Sequence, residues 1–148
     1  MSRYLLPALR VFMGGVFILA AWPKLQQPWA MFAMTVDAYG LLPQWAVILV
    51  ARTLPWAELA LALWLISGLW LRFSAAAASA ILLGFFTVLV RSYLKGFQID
   101  CGCFGGGDPI SPRTLLRDGI LLTLSLALLV LAIRQRKSAS LDPARQAP

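Results

Sequence analysis

Residues 74–94 read SAAAASAILLGFFTVLVRSYL, and the stretch from Ser74 to Val90 carries no charge before Arg91 interrupts it. A helix needs about 20 largely apolar residues to cross the hydrocarbon core of a bilayer, so this segment reads as a transmembrane span. Its Ala75–Ala80 portion presents small side chains that let a second helix approach closely. The remainder of the chain agrees with that reading. Of 148 residues, 60% are hydrophobic and 13% charged, and the mean hydropathy is +0.78. So few polar residues cannot cover a water-facing surface. The predicted fold class is all-α, an integral membrane four-helix bundle with a short interfacial helix after the first span.

Working outward, the spans fall at about 5–22, 44–71, 74–94 and 113–133. Trp22-Pro23-Lys24 ends the first with an interfacial aromatic, a helix breaker and a charge. No small-x-small cleavage site precedes Pro23, so this segment is expected to stay as a membrane helix. Between Pro28 and Pro43, the residues Trp29, Phe32, Ala33, Val36 and Tyr39 recur at helical spacing opposite Asp37, as in a helix lying in the interface. Arg52 and Pro55 interrupt the second span, leaving Trp56 to Leu71 as its continuous apolar part, and Arg72 marks a tight turn. Ser111 and Pro112 form an N-cap and a first helical residue for the last span. Residues 1–137 make one membrane domain, a loop at 95–111 carries both cysteines, and 138–148 is a polar tail expected to be disordered.

Charge placement sets the orientation and points to a site. The two termini share one side with seven cations (Arg3, Arg10, Arg72, Arg134, Arg136, Lys137, Arg145), against six on the cysteine side (Lys24, Arg52, Arg91, Lys95, Arg113, Arg117). This small excess predicts cytoplasmic termini and a periplasmic or extracytoplasmic cysteine loop in an inner-membrane protein. The net charge of +7 is membrane-flanking charge, not a nucleic-acid footprint. Glu58, Arg91, Arg117 and Asp118 lie near the cysteine end, joined by Lys24, Arg52 and Asp100. Ionisable groups at membrane depth face the bundle interior, paired or lining a cavity, so a polar vestibule is expected beneath the loop. Glu58 starts the apolar stretch after Pro55, with Lys24 or Arg91 as its expected partner. Trp22, Trp29, Trp45 and Trp56 form an aromatic belt at that end.

The loop contains Asp100-Cys101-Gly102-Cys103-Phe104-Gly105-Gly106-Gly107-Asp108, with the only two cysteines of the chain. Two extended peptide steps separate Cα atoms by about 6.6–7.2 Å, whereas a disulfide wants about 4.4–6.8 Å. Bonding Cys101 to Cys103 therefore requires a bend, which Gly102 and the later glycines permit. Such a strained bond is easily reduced, the property of an exchanging disulfide. Three readings remain open: a redox-active dithiol at Cys101 and Cys103, a bis-thiolate Cu(I) site on the same pair, and thiols that are inert or only fix the loop. The chain has no histidine, so a complete zinc site or an activated hydrolytic nucleophile is not expected, and the triple glycine lacks the Lys-Ser/Thr of a phosphate loop.

Lys24, Pro28, Tyr39-Gly40-Leu41-Leu42-Pro43, Pro55 with Glu58, and Asp100-Cys101-Gly102-Cys103-Phe104-Gly105 together resemble the DoxX-like MauE group of redox-associated membrane proteins, over about Val11 to Leu131. The resemblance implies a four-helix bundle connected with thiol or sulfur redox metabolism. MauE-type members support disulfide formation in an exported enzyme, and DoxX relatives are subunits in thiosulfate-quinone chemistry. The expected function is thiol-disulfide exchange with an exported thioredoxin-like or maturation partner, which as an enzyme would be an oxidoreductase, with quinone as one acceptor. Cys101 and Cys103 would be catalytic, supported by Lys24, Glu58, Arg91, Asp100, Gly102, Phe104 and Gly105. Arg91, Lys95 and Arg113 would favour the thiolate and Asp100 oppose it. The alternative is a non-catalytic membrane subunit or Cu(I)-handling module, within a homo-oligomer or a membrane complex.

Overall fold

A computed structural model describes residues 2–97, 99, 101, 102, 104 and 109–141. Among these, the regular structure is five helices: α1 (Ser2–Gln26), α2 (Trp29–Ala38), α3 (Gln44–Ser67), α4 (Leu71–Leu94) and α5 (Pro112–Leu141). Four have the length and apolar character to cross a membrane, over Tyr4–Gln26, Gln44–Ser67, Leu71–Leu94 and Pro112–Gln135. The chain is a multi-pass helical membrane protein, and α2 is the short extra helix after the first span.

The main pairings are α1 with α3 and α4 with α5, with α2 laid along α3. Met13, Phe17, Leu61, Leu65, Ala75, Ala78 and Leu128 are buried where the four long helices meet. Lipid tails are as apolar as leucine, so these helices are held by close packing and by hydrogen bonds between them. Both devices are present. A Cβ built on Gly14 of α1 would fall 2.5 Å from Ile66 Cγ1 and 3.1 Å from the Ala62 carbonyl, so only glycine permits this approach of α1 to α3. On the other side of the bundle, the Ser79 and Ser125 hydroxyls are hydrogen-bonded at 2.8 Å and tie α4 to α5.

Several boundaries differ from the sequence-based expectation. Pro23 and Pro55 lie inside α1 and α3 and do not end or divide them. A proline removes one N–H and one hydrogen bond, a loss that a packed membrane helix tolerates because its neighbours hold it. Because α1 continues through Pro23, Lys24 is not an interfacial anchor but a buried residue, 3% exposed. The turn between α3 and α4 is at Gly68–Trp70, before Arg72, which is already helical. The last helix passes the expected end at Ile133 and reaches Leu141, so residues 138–141 are helical; residues 142–148 lie outside the described residues. Ser111 and Pro112 act as expected: the Thr114 amide donates to Ser111 Oγ at 3.4 Å, and the Ser111 amide to Thr114 Oγ1 at 2.9 Å. This reciprocal cap starts α5 and fixes where the cysteine loop rejoins the bundle.

Candidate functional site

Two polar groups meet at the loop end of the bundle. The first is the pair between α1 and α3: Lys24 Nζ donates to Glu58 Oε1 at 2.7 Å and to Oε2 at 2.8 Å, with both side chains buried. The ammonium also lies 5.2 Å from the centre of the Phe32 ring and 5.4 Å from that of Phe85, so aromatic faces enclose it on the α2 and α4 sides. Of the two partners expected for Glu58, Lys24 is the one present. Arg91 is exposed on α4. The compact ammonium satisfies both carboxylate oxygens from one point, and Arg91 is left to reach solvent or head groups.

The second group surrounds Cys101, which is 1% exposed. Its Sγ lies 3.7 Å from Arg117 Nη2, which donates toward it, and 3.9 Å from Asp118 Oδ2. Arg117 Nε donates to Asp118 Oδ1 at 3.1 Å, and its guanidinium stacks 4.6 Å from the centre of the Phe104 ring. From the α2 side, the Tyr39 hydroxyl donates to the Cys101 carbonyl at 2.7 Å. Gly102 has φ +66, a conformation strained for any residue with a side chain, and a Cβ there would meet Thr35 Cγ2 at 2.7 Å. Gly102 thus holds a backbone conformation that favours glycine, and Thr35 of α2 packs against it.

A narrow cavity of about 30 Å³ joins the two groups; Phe17, Glu58, Phe85, Phe104, Asp118 and Leu121 are among its lining residues. That volume admits about two waters at most. This seam is narrow and largely apolar, with one carboxylate from each group, while a more open and more polar pocket of about 340 Å³ lies around Lys24 and Arg52, with Gln27, Trp29 and Trp56 also on its walls. Glu58 and Asp118 line the seam, each bonded to its cation, Lys24 or Arg117, and Arg52, stacked 4.5 Å from the centre of the Trp29 ring, shares the more polar pocket with Lys24. The cation on the sulfur is Arg117; Arg91, Lys95 and Arg113 are exposed. Asp100, Cys103, Gly105 and Asp108 lie outside the described residues. The four belt tryptophans, Trp22, Trp29, Trp45 and Trp56, are all exposed on the bundle surface.

Sequence reasoning placed Arg117 and Asp118 among the vestibule charges but did not assign them to a sulfur. It also noted Tyr39 only as part of a motif. The available signal was their position: Arg117-Asp118 lies one turn into α5, directly after the loop. An acidic residue able to accept a thiol proton beside a cation able to stabilise a thiolate is an arrangement suited to thiol chemistry. Among the described residues, no group of three or more His, Cys, Asp or Glu side chains is placed to hold a metal.

A broader apolar cleft of about 400 Å³ opens between α2, α3 and α4, with Tyr39, Leu42, Val50, Leu54, Gly84 and Val88 on its walls. Tyr39 connects it to the Cys101 backbone.

Fold and site define a four-span membrane bundle with a buried ion pair and a cysteine loop seated at one end. The chain belongs to the MauE family: the family model described as methylamine utilisation protein MauE matches residues 2–132. It is 38% identical over 124 residues to the methylamine utilization protein MauE of Paracoccus denitrificans, covering 82% of this chain. The chain spans 66% of the length of that relative. No solved structure matches it.

Proposed function

We propose that this chain is a membrane accessory protein of a methylamine-utilisation system that exchanges electrons through Cys101 and Cys103 with an exported thioredoxin-like or maturation partner. The observation that carries the reading is the placement of Cys101 Sγ between Arg117 and Asp118. Such surroundings are unnecessary for an inert loop thiol and favour interconversion of thiol and thiolate. Membership of the MauE family supports the accessory-protein part of this reading. On this reading the termini are cytoplasmic and the loop faces the periplasm, where a disulfide persists.

A membrane quinone is the proposed final acceptor: two electrons and two protons pass from the dithiol to give quinol and the Cys101–Cys103 disulfide. The apolar cleft beside Tyr39 supports this part of the proposal, since it opens among the membrane helices and touches the element that holds Cys101. The test is trapping in cells with Cys101→Ala and Cys103→Ala, non-reducing gels and mass spectrometry. A thiol-dependent adduct with an exported thioredoxin-fold protein is expected. Thiols that stay reduced, trap nothing and copurify with copper would replace exchange by Cu(I) handling.

A further inference from the structure

Arg52 is an exposed charge on a membrane-spanning helix, and among the described residues its side chain has no ion pair and no hydrogen bond. Its polar head is held by Trp29 alone, with the guanidinium carbon 4.5 Å from the ring centre. A contact of this kind places the head but uses none of the five N–H donors of an arginine, which stay available to a ligand. Arg52 lines the pocket of about 340 Å³ shared with Lys24, Gln27, Trp29 and Trp56, and no acidic side chain is among the described residues on its walls. Lys24 adds no net charge there, because its ammonium is buried and bonded to both oxygens of Glu58. The charge that the pocket leaves uncompensated is therefore that of Arg52, and it calls for an anion with several acceptor oxygens.

The depth of the pocket narrows the choice of anion. Lys24 belongs to the last turn of α1, so the pocket sits where that span ends. Trp29 and Trp56 on its walls are both exposed, as tryptophans are at head-group level. An arginine at this depth without a protein carboxylate is stabilised by the phosphates of the lipid. We propose that this pocket binds the head group of an anionic phospholipid, with Arg52 donating to its phosphate oxygens and Trp29 and Trp56 packing beside its glycerol. A zwitterionic head group fits less well, because its ammonium or choline would meet Arg52 with no carboxylate on the wall to receive it, and Arg52 already occupies Trp29. The site is independent of the thiol chemistry proposed above.

The experiment places the full chain in nanodiscs of equal parts phosphatidylglycerol and phosphatidylcholine and counts, by native mass spectrometry, the lipids that stay on the released protein. The wild type is expected to retain phosphatidylglycerol in preference to phosphatidylcholine. Arg52→Gln should lower the retained phosphatidylglycerol about fivefold, the value of one arginine at an anionic surface. Arg134→Gln removes an exposed cation from the opposite end of the bundle and should leave retention unchanged. Equal retention of the two lipids by the wild type, undiminished retention in Arg52→Gln, or a loss of the same size in Arg134→Gln overturns the proposal, the last by showing diffuse surface charge instead of a site. A further arm adds excess inorganic phosphate, compared with chloride at equal ionic strength. Retention that survives phosphate is expected, and displacement by phosphate but not chloride would assign the pocket to a soluble anion and overturn the lipid reading. The wild-type comparison of the two lipids needs no substitution, so it stands even where a variant fails to fold.

Discussion

Lys24→Met isolates the contribution of the buried pair. It keeps most of the side-chain volume and apolar length but removes the ammonium that donates to both Glu58 oxygens at 2.7 and 2.8 Å. Glu58 then either remains charged among Phe17, Phe85 and Leu121 along the narrow seam or takes a proton from solution. The second route bounds the penalty: protonating an ordinary glutamate, with a pKa near 4.3, at pH 7 costs about 3.7 kcal/mol. This agrees with the ~3–5 kcal/mol lost when one partner of a buried pair is removed. The expected destabilisation is about 3–4 kcal/mol, read from denaturant-induced unfolding in mixed micelles by the fluorescence of the six tryptophans. Glu58→Gln should cost a similar amount, and the double variant Lys24→Met with Glu58→Gln should recover about 2 kcal/mol or more of the summed loss. A single-variant loss below about 1 kcal/mol, or additive losses, would refute the reasoning and mean that water reaches the pair.

Three further outcomes follow from the same geometry. Gly102→Ala places a methyl group 2.7 Å from Thr35 Cγ2 on a residue at φ +66, so it should cost about 1–2 kcal/mol and slow closure of the cysteine pair. Adding Thr35→Ala should recover only the contact part of that loss, as measured in the micelle unfolding assay. Tyr39→Phe removes the hydroxyl bonded to the Cys101 carbonyl; the expected loss is about 1 kcal/mol, with faster maleimide labelling of Cys101. Ser79→Ala breaks the 2.8 Å link to Ser125, for about 0.6 kcal/mol in the micelle unfolding assay, and should leave cysteine labelling unchanged.

The four spans and the interfacial helix were legible because hydrophobic length and helical period are local properties, as in residues 74–94. The proline positions were misread for the same reason: Pro23 and Pro55 look like breakers locally, yet neighbouring helices hold α1 and α3 through them. At the site, Lys24 was legible as one of two candidates for Glu58, but the choice against Arg91 depends on how α1 and α3 are rotated, which no periodicity specifies. The link between Cys101 and Arg117-Asp118 crosses from loop to helix and depends on where the Ser111 cap starts α5.

By itself the sequence determined that this is a helical membrane bundle with a bendable cysteine pair in a loop between its last two spans. These properties follow from composition, span length and peptide geometry, each set within a short stretch of chain. Only the tertiary structure decided that Lys24 is buried against Glu58, that Cys101 faces inward between Arg117 and Asp118, and that a narrow seam joins the two groups. Those relations arise from the rotation and close approach of helices distant in sequence, and the cost of burying unpaired charge is what requires the paired groups to face one another.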